Sequence, residues 1–196
     1  MSQADALIRL AEQKRVLRPR DVDAAGIPRA VLYRLRDQGV LKRLSRGLYS
    51  LSRHEITENH TFAEVSKRIP SGVICLLSAL RFHDLTTQAP FEVWLAIDRK
   101  AWRPKTSLPV RIVTMSGGHL TAGVVSHRIE GVDVPVFNAA KTVADCFRYR
   151  NKIGLDVALE ALRDYRARRM SIDELWRFAQ VDRVANVIRP YLEASL

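Results

Sequence analysis

An α+β chain is predicted: a small basic module of helices and a hairpin, followed by a mixed α/β domain with a helical C-terminus. Three observations predict it. Apolar residues recur at helical spacing through the first forty positions and then switch to two-residue alternation. Positive charge is uneven: residues 1–53 hold 12 Lys+Arg against 5 Asp+Glu, and the remaining 143 hold 20 against 16. Beyond residue 60, helical and strand patterns interleave.

The 196 residues carry a net charge of +11, a pI near 10.2 and 47% hydrophobic residues. Such a chain is globular, and its charge calls for an anionic partner, nucleic acid first and an acidic membrane surface second. Ser2 to Lys14 mixes acids and bases and lacks the apolar core of a secretory signal. No apolar run approaches the ~18 residues of a membrane span. Cys75 and Cys146 sit among apolar neighbours, where a buried free thiol is the ordinary state. A cytoplasmic location is expected, and it needs no disulfide.

The basic module is read in order. Ala4 to Arg15 sets Leu7, Ile8, Leu10 and Ala11 on one face of a first helix. A second, short helix starts at Arg18-Pro19-Arg20-Asp21, with Val22 and Ala25 inward and Gly26 as its stop. Pro28 opens a third helix running to Gln38, which Gly39 closes. At 100° per residue, Ile27, Val31, Leu32 and Leu35 face the first two helices. Arg29, Tyr33 and Arg36 fall opposite, with Ala30 and Asp37 beside them. Two helices joined by a tight glycine turn make a helix-turn-helix.

Val40 to Leu44 and Gly47 to Leu51 alternate as two half-buried strands, with Ser45-Arg46-Gly47 as their turn. This hairpin is a wing, and the module as a whole is a winged helix-turn-helix over residues 1–55. Arg29 and Arg36 on the third helix suit guanine edges in a major groove, and Tyr33 a phosphate or a base. Lys42, Arg43 and Arg46 on the wing suit phosphates or a minor groove. These six, together with Arg20 of the second helix, are the candidate DNA-binding residues. The polar stretch Ser52 to His60 is the expected joint, and residues 1–58 are expected to fold and bind DNA alone.

The segment GIPRAVLYRLRDQGVLKRLSRGLYSL, Gly26 to Leu51, resembles the N-terminal winged helix of AbiEi-type antitoxins, the repressors of type IV toxin–antitoxin systems. Its ending Arg46 to Tyr49, RGLY, carries the resemblance best. ICLLSALRFHDL (Ile74 to Leu85) is similar to a helix of that family. VPVFNAAKTVADCFR (Val134 to Arg148) is similar to its strand-turn-helix with a Lys-Thr pair. The resemblance implies autorepression of an antitoxin–toxin operon through double-stranded operator DNA with inverted repeats. It also implies antagonism of a nucleotidyltransferase-like toxin that the antitoxin need not bind.

The second domain, residues 60–196, is mixed α/β. Thr61 to Ile69 and Val73 to Phe82 read as helices, Phe91 to Ile97 and Val110 to Met115 as strands. Val124 to Ile129 and Val132 to Phe137 form a further pair of strands about Gly131. Asn138 caps a helix from Ala139 to Arg150. Leu155 to Arg169 is a long amphipathic helix ending in the cluster Arg163, Arg166, Arg168 and Arg169, read as a solvated, dipole-matched helix end, with an extension of the nucleic-acid footprint as the alternative. Ser171 to Glu174 is a capping box opening another helix, and Asp182 to Ala194 is the last.

Catalytic patterns are sparse. Asp84 with Asp98-Arg99-Lys100 mimics the acids and lysine of a metal-dependent nuclease, a degenerate pattern that a charged strand exit also produces. The five histidines lack metal-ligand spacing, and Met115 to Gly118 is a turn without the lysine of a phosphate loop. Lys141 on an amphipathic helix is assigned to solvent. No catalysis, metal or cofactor is expected. Two other readings remain open: a regulator whose second domain senses a ligand, and a nuclease that the winged helix targets to DNA.

Overall fold

The computed structural model describes residues 2–52 and 59–194. It is a mixed α+β structure that divides into two compact units, residues 1–67 with 128–133, and residues 68–127 with 134–196. Most of the joint expected at Ser52 to His60 lies outside the described residues. Among the described residues, no helix is long and apolar enough to cross a membrane.

In the first unit, helix α1 (Gln3–Lys14) starts with a reciprocal cap: Ser2 Oγ accepts from the Asp5 amide and Asp5 Oδ2 from the Ser2 amide, both at 3.1 Å. Helices α2 (Pro19–Ala24) and α3 (Arg29–Asp37) follow. They stop where Gly26 (φ +70°) and Gly39 (φ +73°) enter the left-handed region, which costs a glycine nothing. Leu7, Ala11, Val22, Ile27, Val31, Leu32 and Leu35 are buried together, as their spacing predicts. Ala25, expected inward, is exposed: α2 ends at Ala24, and the residue after it turns out to water.

Strands β1 (Leu41–Ser45) and β2 (Leu48–Leu51) form an antiparallel hairpin with Leu41 opposite Leu51 and a bulge between Arg43 and Ser45. The expected alternation fails in β2, where all four residues are buried. Leu17 explains part of this. Its amide donates to the Tyr49 carbonyl (2.8 Å) and its carbonyl accepts from the Tyr49 amide (2.9 Å), so β2 is hydrogen-bonded on both edges.

Helix α4 (His60–Arg68) leads to the second unit. There Val73-Ile74 is strand β3, not the start of a helix, and helix α5 covers only Leu76–Phe82. A β-branched pair inside a longer apolar run carries no period that separates strand from helix. Gly72 makes the strand possible, because a Cβ there would lie 2.5 Å from Leu95 Cδ2. Strand β4 (Val93–Asp98) starts after Phe91, which is exposed. Strand β5 (Val110–Met115), the four-residue helix α6 (Gly118–Thr121), β6 (Val124–Ile129) and β7 (Val132–Phe137) complete the sheet region. The order is β5-β4-β3-β7-β6, with β3 antiparallel to β4 but parallel to β7, and β4 parallel to β5.

Helix α7 (Ala139–Arg148) lies at the centre of this unit, packed against α5, α9 (Leu155–Ala167) and α10 (Ile172–Val181). It stops two residues early, and the short α8 (Arg150–Ile153) follows. Helix α11 begins at Ala185 and ends at Glu193 rather than starting at Asp182, which instead terminates α10. Cys75 and Cys146 are buried free thiols, as expected, and burial pushes both well above the usual thiol range. Half of the Ser171 capping box forms: Ser171 Oγ accepts from the Glu174 amide at 3.1 Å, while Glu174 Oε1 accepts from Asn138 Nδ2. Asn138 Oδ1 in turn accepts from the Lys141 amide at 2.8 Å, so this one side chain caps α7 and ties it to α10. Asn138→Ala removes both bonds and is expected to cost about 1–2 kcal/mol in urea unfolding followed by circular dichroism.

Candidate nucleic-acid interface

The outward face of α3 is built as its periodicity dictates. Arg29, Ala30, Tyr33, Arg34 and Asp37 are exposed, and Arg36 lies half-buried at the flank. Arg34, which periodicity alone does not single out, is thus as available as Arg36. The arginines are not bare. Arg29 grips Asp23 through Nε (2.9 Å) and Nη2 (2.5 Å), and Arg36 Nε donates to Asp37 at 2.8 Å. Those bonds lift the two guanidinium pKa values further and lower that of Asp23. The Arg36 guanidinium also lies over the Tyr33 ring, 5.4 Å from its centroid. Asp23 and Asp37 are therefore part of this face, a role that a search for basic residues passes over.

The hairpin presents Arg43 and Arg46 to solvent, with Lys42 half-buried and Arg46 at the turn beside Gly47. Arg43 Nε donates to the Ser45 carbonyl at 3.2 Å, which steadies the bulge. Because α3 packs on β1, helix face and hairpin belong to one rigid support. Arg20 is exposed on α2, away from the α3 face in sequence.

Beneath this surface Asp21 collects charge. It accepts from the Arg18 amide (2.7 Å), from Lys14 Nζ (3.0 Å) and from Lys67 Nζ (3.2 Å). Burial works to raise its pKa, but these donors together hold it below the usual carboxylate range. Lys67 also donates to the Val16 carbonyl, and burial lowers its pKa. The half-buried His60 ring meets Glu130 at 2.7 Å within the same unit.

In the second unit the site reading of Lys141 is overturned. Lys141 is fully buried, not solvated: its ammonium donates to Asp145 Oδ1 and to both Asp182 oxygens at 3.0 Å. The reason is tertiary: α5, α9 and α10 pack around α7, so that Ala140 to Phe147 are all buried and even its polar stripe is covered. His119 Nδ1 joins at 2.9 Å from Asp182 Oδ1, and Arg148 donates to the Asp182 carbonyl at 2.8 Å. Burial raises the Asp145 pKa well above its ordinary value; Lys141 pulls it down and Asp182 pushes it up again. Arg168, at the helix end expected to be solvated, is exposed and also donates to the carbonyls of His83 and Asp84.

The nuclease-like residues are placed for turns. Asp98 Oδ1 accepts from the Lys100 amide at 2.7 Å, and Asp84 is exposed near Arg168. Among the described residues, no group of three or more His, Cys, Asp or Glu side chains is arranged to hold a metal ion.

Residues 5–52 match the family model described as "Transcriptional regulator, AbiEi antitoxin". The resemblance read from Gly26 to Leu51 is borne out over that segment. No curated protein matches the chain. Past residue 52 the Lys141 cluster is the sharpest feature to test. Lys141→Met strands two buried carboxylates and is expected to cost about 3–5 kcal/mol at neutral pH. That loss should shrink as acid protonates Asp145. Because the folded Asp145 pKa is raised, its contribution to stability is fullest below the unfolded value near 3.8 and is lost as pH rises. Asp145→Asn should therefore gain on the parent protein as pH rises from 4 to 7 in urea titrations.

Proposed function

We propose, from an N-terminal segment of the AbiEi-antitoxin transcriptional-regulator type, that the chain is a cytoplasmic DNA-binding repressor and antitoxin of a type IV toxin–antitoxin system. In this reading residues 1–55 are a winged helix-turn-helix and residues 60–196 the antitoxin domain. Helix α3 enters a major groove, and the β1–β2 hairpin is the wing. Operator DNA with inverted repeats near its own gene is the partner, so that the chain represses its own operon. A nucleotidyltransferase-like toxin is countered without an obligatory complex, and the chain itself performs no catalysis.

The observation that supports it best is the exposed face of α3, with Arg29, Tyr33, Arg34 and Arg36, beside a hairpin offering Arg43 and Arg46. A guanidinium matches the two acceptors of a guanine edge, and in the free chain the Asp23 carboxylate occupies the Nε and Nη2 donors of Arg29 that such an edge would take over. Arg46 at a turn meets backbone phosphates or a narrow groove instead.

A second reading has one observation in its favour. A cleft of about 630 Å³ runs between α9 and α11, with Leu159, Leu162 and Tyr191 as its apolar lining and Arg163 and Arg166 at its side. A regulator that senses an anionic amphiphile would use such a cleft. Ligand-dependent thermal stabilisation distinguishes it from the antitoxin reading.

The test is a binding titration on DNA from upstream of its own gene and on scrambled DNA, at several salt concentrations. Arg29→Ala and Arg36→Ala are expected to lose about 1–3 kcal/mol on the operator alone and to relax preference at particular base pairs. Arg46→Ala should weaken both DNAs equally and lower the salt slope by about one. Unchanged binding in Arg29→Ala and Arg46→Ala would reject the docking face. For the antitoxin half, residues 1–58 co-expressed with the toxin should fail to restore growth that the full chain restores.

A further inference from the structure

Positive charge in the second unit is concentrated in one stretch. From Arg99 to His127 the sequence holds five Lys+Arg and no Asp or Glu. That run alone exceeds the net +4 of residues 54–196, so the rest of that region is slightly acidic. Four of the five cations fall in Arg99 to Lys105, RKAWRPK. Among them stands Trp102, 88% exposed. An indole left almost wholly in water forfeits the burial that would ordinarily stabilise it.

The topology explains why this stretch is laid open. Strands β4 and β5 are parallel, with Val93 opposite Val110 and Asp98 opposite Met115. The chain leaving Asp98 must therefore travel back the whole length of a six-residue strand, roughly 20 Å, before β5 begins. Parallel connections of this kind usually carry a helix. Here residues 99–109 have none and run along the surface. Both ends are tied: the Arg99 amide donates to the Met115 carbonyl and the Lys100 amide to Asp98 Oδ1, while the Pro109 carbonyl accepts from the Val93 amide. Between the ties, Arg99, Lys100, Trp102, Arg103 and Lys105 form an open surface, and among the described residues none of the four cations has an acidic partner. The contrast is with Arg111 on β5, which is paired to Glu92 and stacked on Trp94.

We propose that this connection is a docking surface for an unpaired strand of nucleic acid, with Trp102 as the stacking platform and Arg99, Lys100, Arg103 and Lys105 as its phosphate contacts. Cations on both sides of an exposed aromatic ring follow a charged backbone while the ring takes a base face. Duplex bases are already stacked on each other and offer the indole no such face. A membrane surface would want further apolar side chains to insert, and within this segment the neighbours of Trp102 are Ala101 and Pro104. The surface belongs to the second unit and α3 to the first, and the proposal stands or falls independently of the operator reading.

The experiment uses the full chain and short labelled oligo(dT), oligo(U) and a duplex, read by anisotropy and by tryptophan emission. Both single strands should bind more tightly than the duplex at this surface and quench emission; comparing the two tells a DNA strand from an RNA strand. Trp102→Ala should weaken single-strand binding about tenfold and abolish the quenching. Arg103→Ala with Lys105→Ala should flatten the salt dependence by about 0.7 for each phosphate no longer neutralised. Trp102→Ala should leave operator affinity unchanged, and Arg29→Ala should leave the Trp102-dependent quenching unchanged. The proposal is overturned by unaltered single-strand binding in Trp102→Ala, or by Trp102-dependent binding that favours the duplex. A blue-shifted emission on phosphatidylserine vesicles without quenching by oligonucleotides would also overturn it.

Discussion

The ammonium of Lys141 holds the second unit together. It sits with no exposure between Asp145, on its own helix, and Asp182, where α10 ends. Through Asp182 it reaches His119 on α6 and, by way of the Asp182 carbonyl, Arg148. One positive charge thus sets the distance between α7 and the turn from α10 to α11 (Ala185–Glu193). An ion cluster of this kind adds little to stability over a well-packed apolar alternative, because its desolvation offsets its attraction. What it adds is exclusivity: any other packing of these helices leaves a buried charge unmatched.

The first unit uses the same logic on a smaller scale. Asp21 caps α2 through the Arg18 amide and receives ammonium groups from α1 and α4. Its carboxylate therefore fixes the helices behind α3 while the apolar residues of α3 fill the core. A face that is to read base edges, as proposed for α3, must be held to within a fraction of an ångström. The hydrogen bonds of Leu17 to Tyr49 hold the hairpin in the same way.

Elements with a clean period are legible in the sequence. Ile27, Val31, Leu32 and Leu35 define the inward stripe of α3, and the short apolar-bounded segments read as β5, β6 and β7 have the bounds expected of them. Strand β3 is not legible, since two residues define no period and Val73-Ile74 merges into the apolar run of α5. Lys141 escapes because a lysine at helical spacing is by default solvated, and Asp182 lies 41 residues away. Helix α7 itself gives no signal of burial, because Lys141, Asp145 and Arg148 fall on one stripe opposite Ala139, Val143 and Cys146, the pattern of an ordinary solvated face. On α3, Arg29, Tyr33 and Arg36 with Asp37 beside them are legible, but neither Arg34 nor the carboxylate that holds Arg29 is, because Asp23 belongs to the preceding helix.

That pairing bears on how such a protein finds its target. An arginine already gripped by a carboxylate grips random DNA less strongly, since Asp23 and Asp37 repel the phosphates that Arg29 and Arg36 attract. Weak hold on random sequence shortens each stop during a one-dimensional search. Only where a base edge supplies two acceptors in the geometry of a carboxylate can Arg29 exchange one partner for another without loss. In the proposed complex, the acids on α2 and α3 thus set the speed of scanning and the threshold at which it ends.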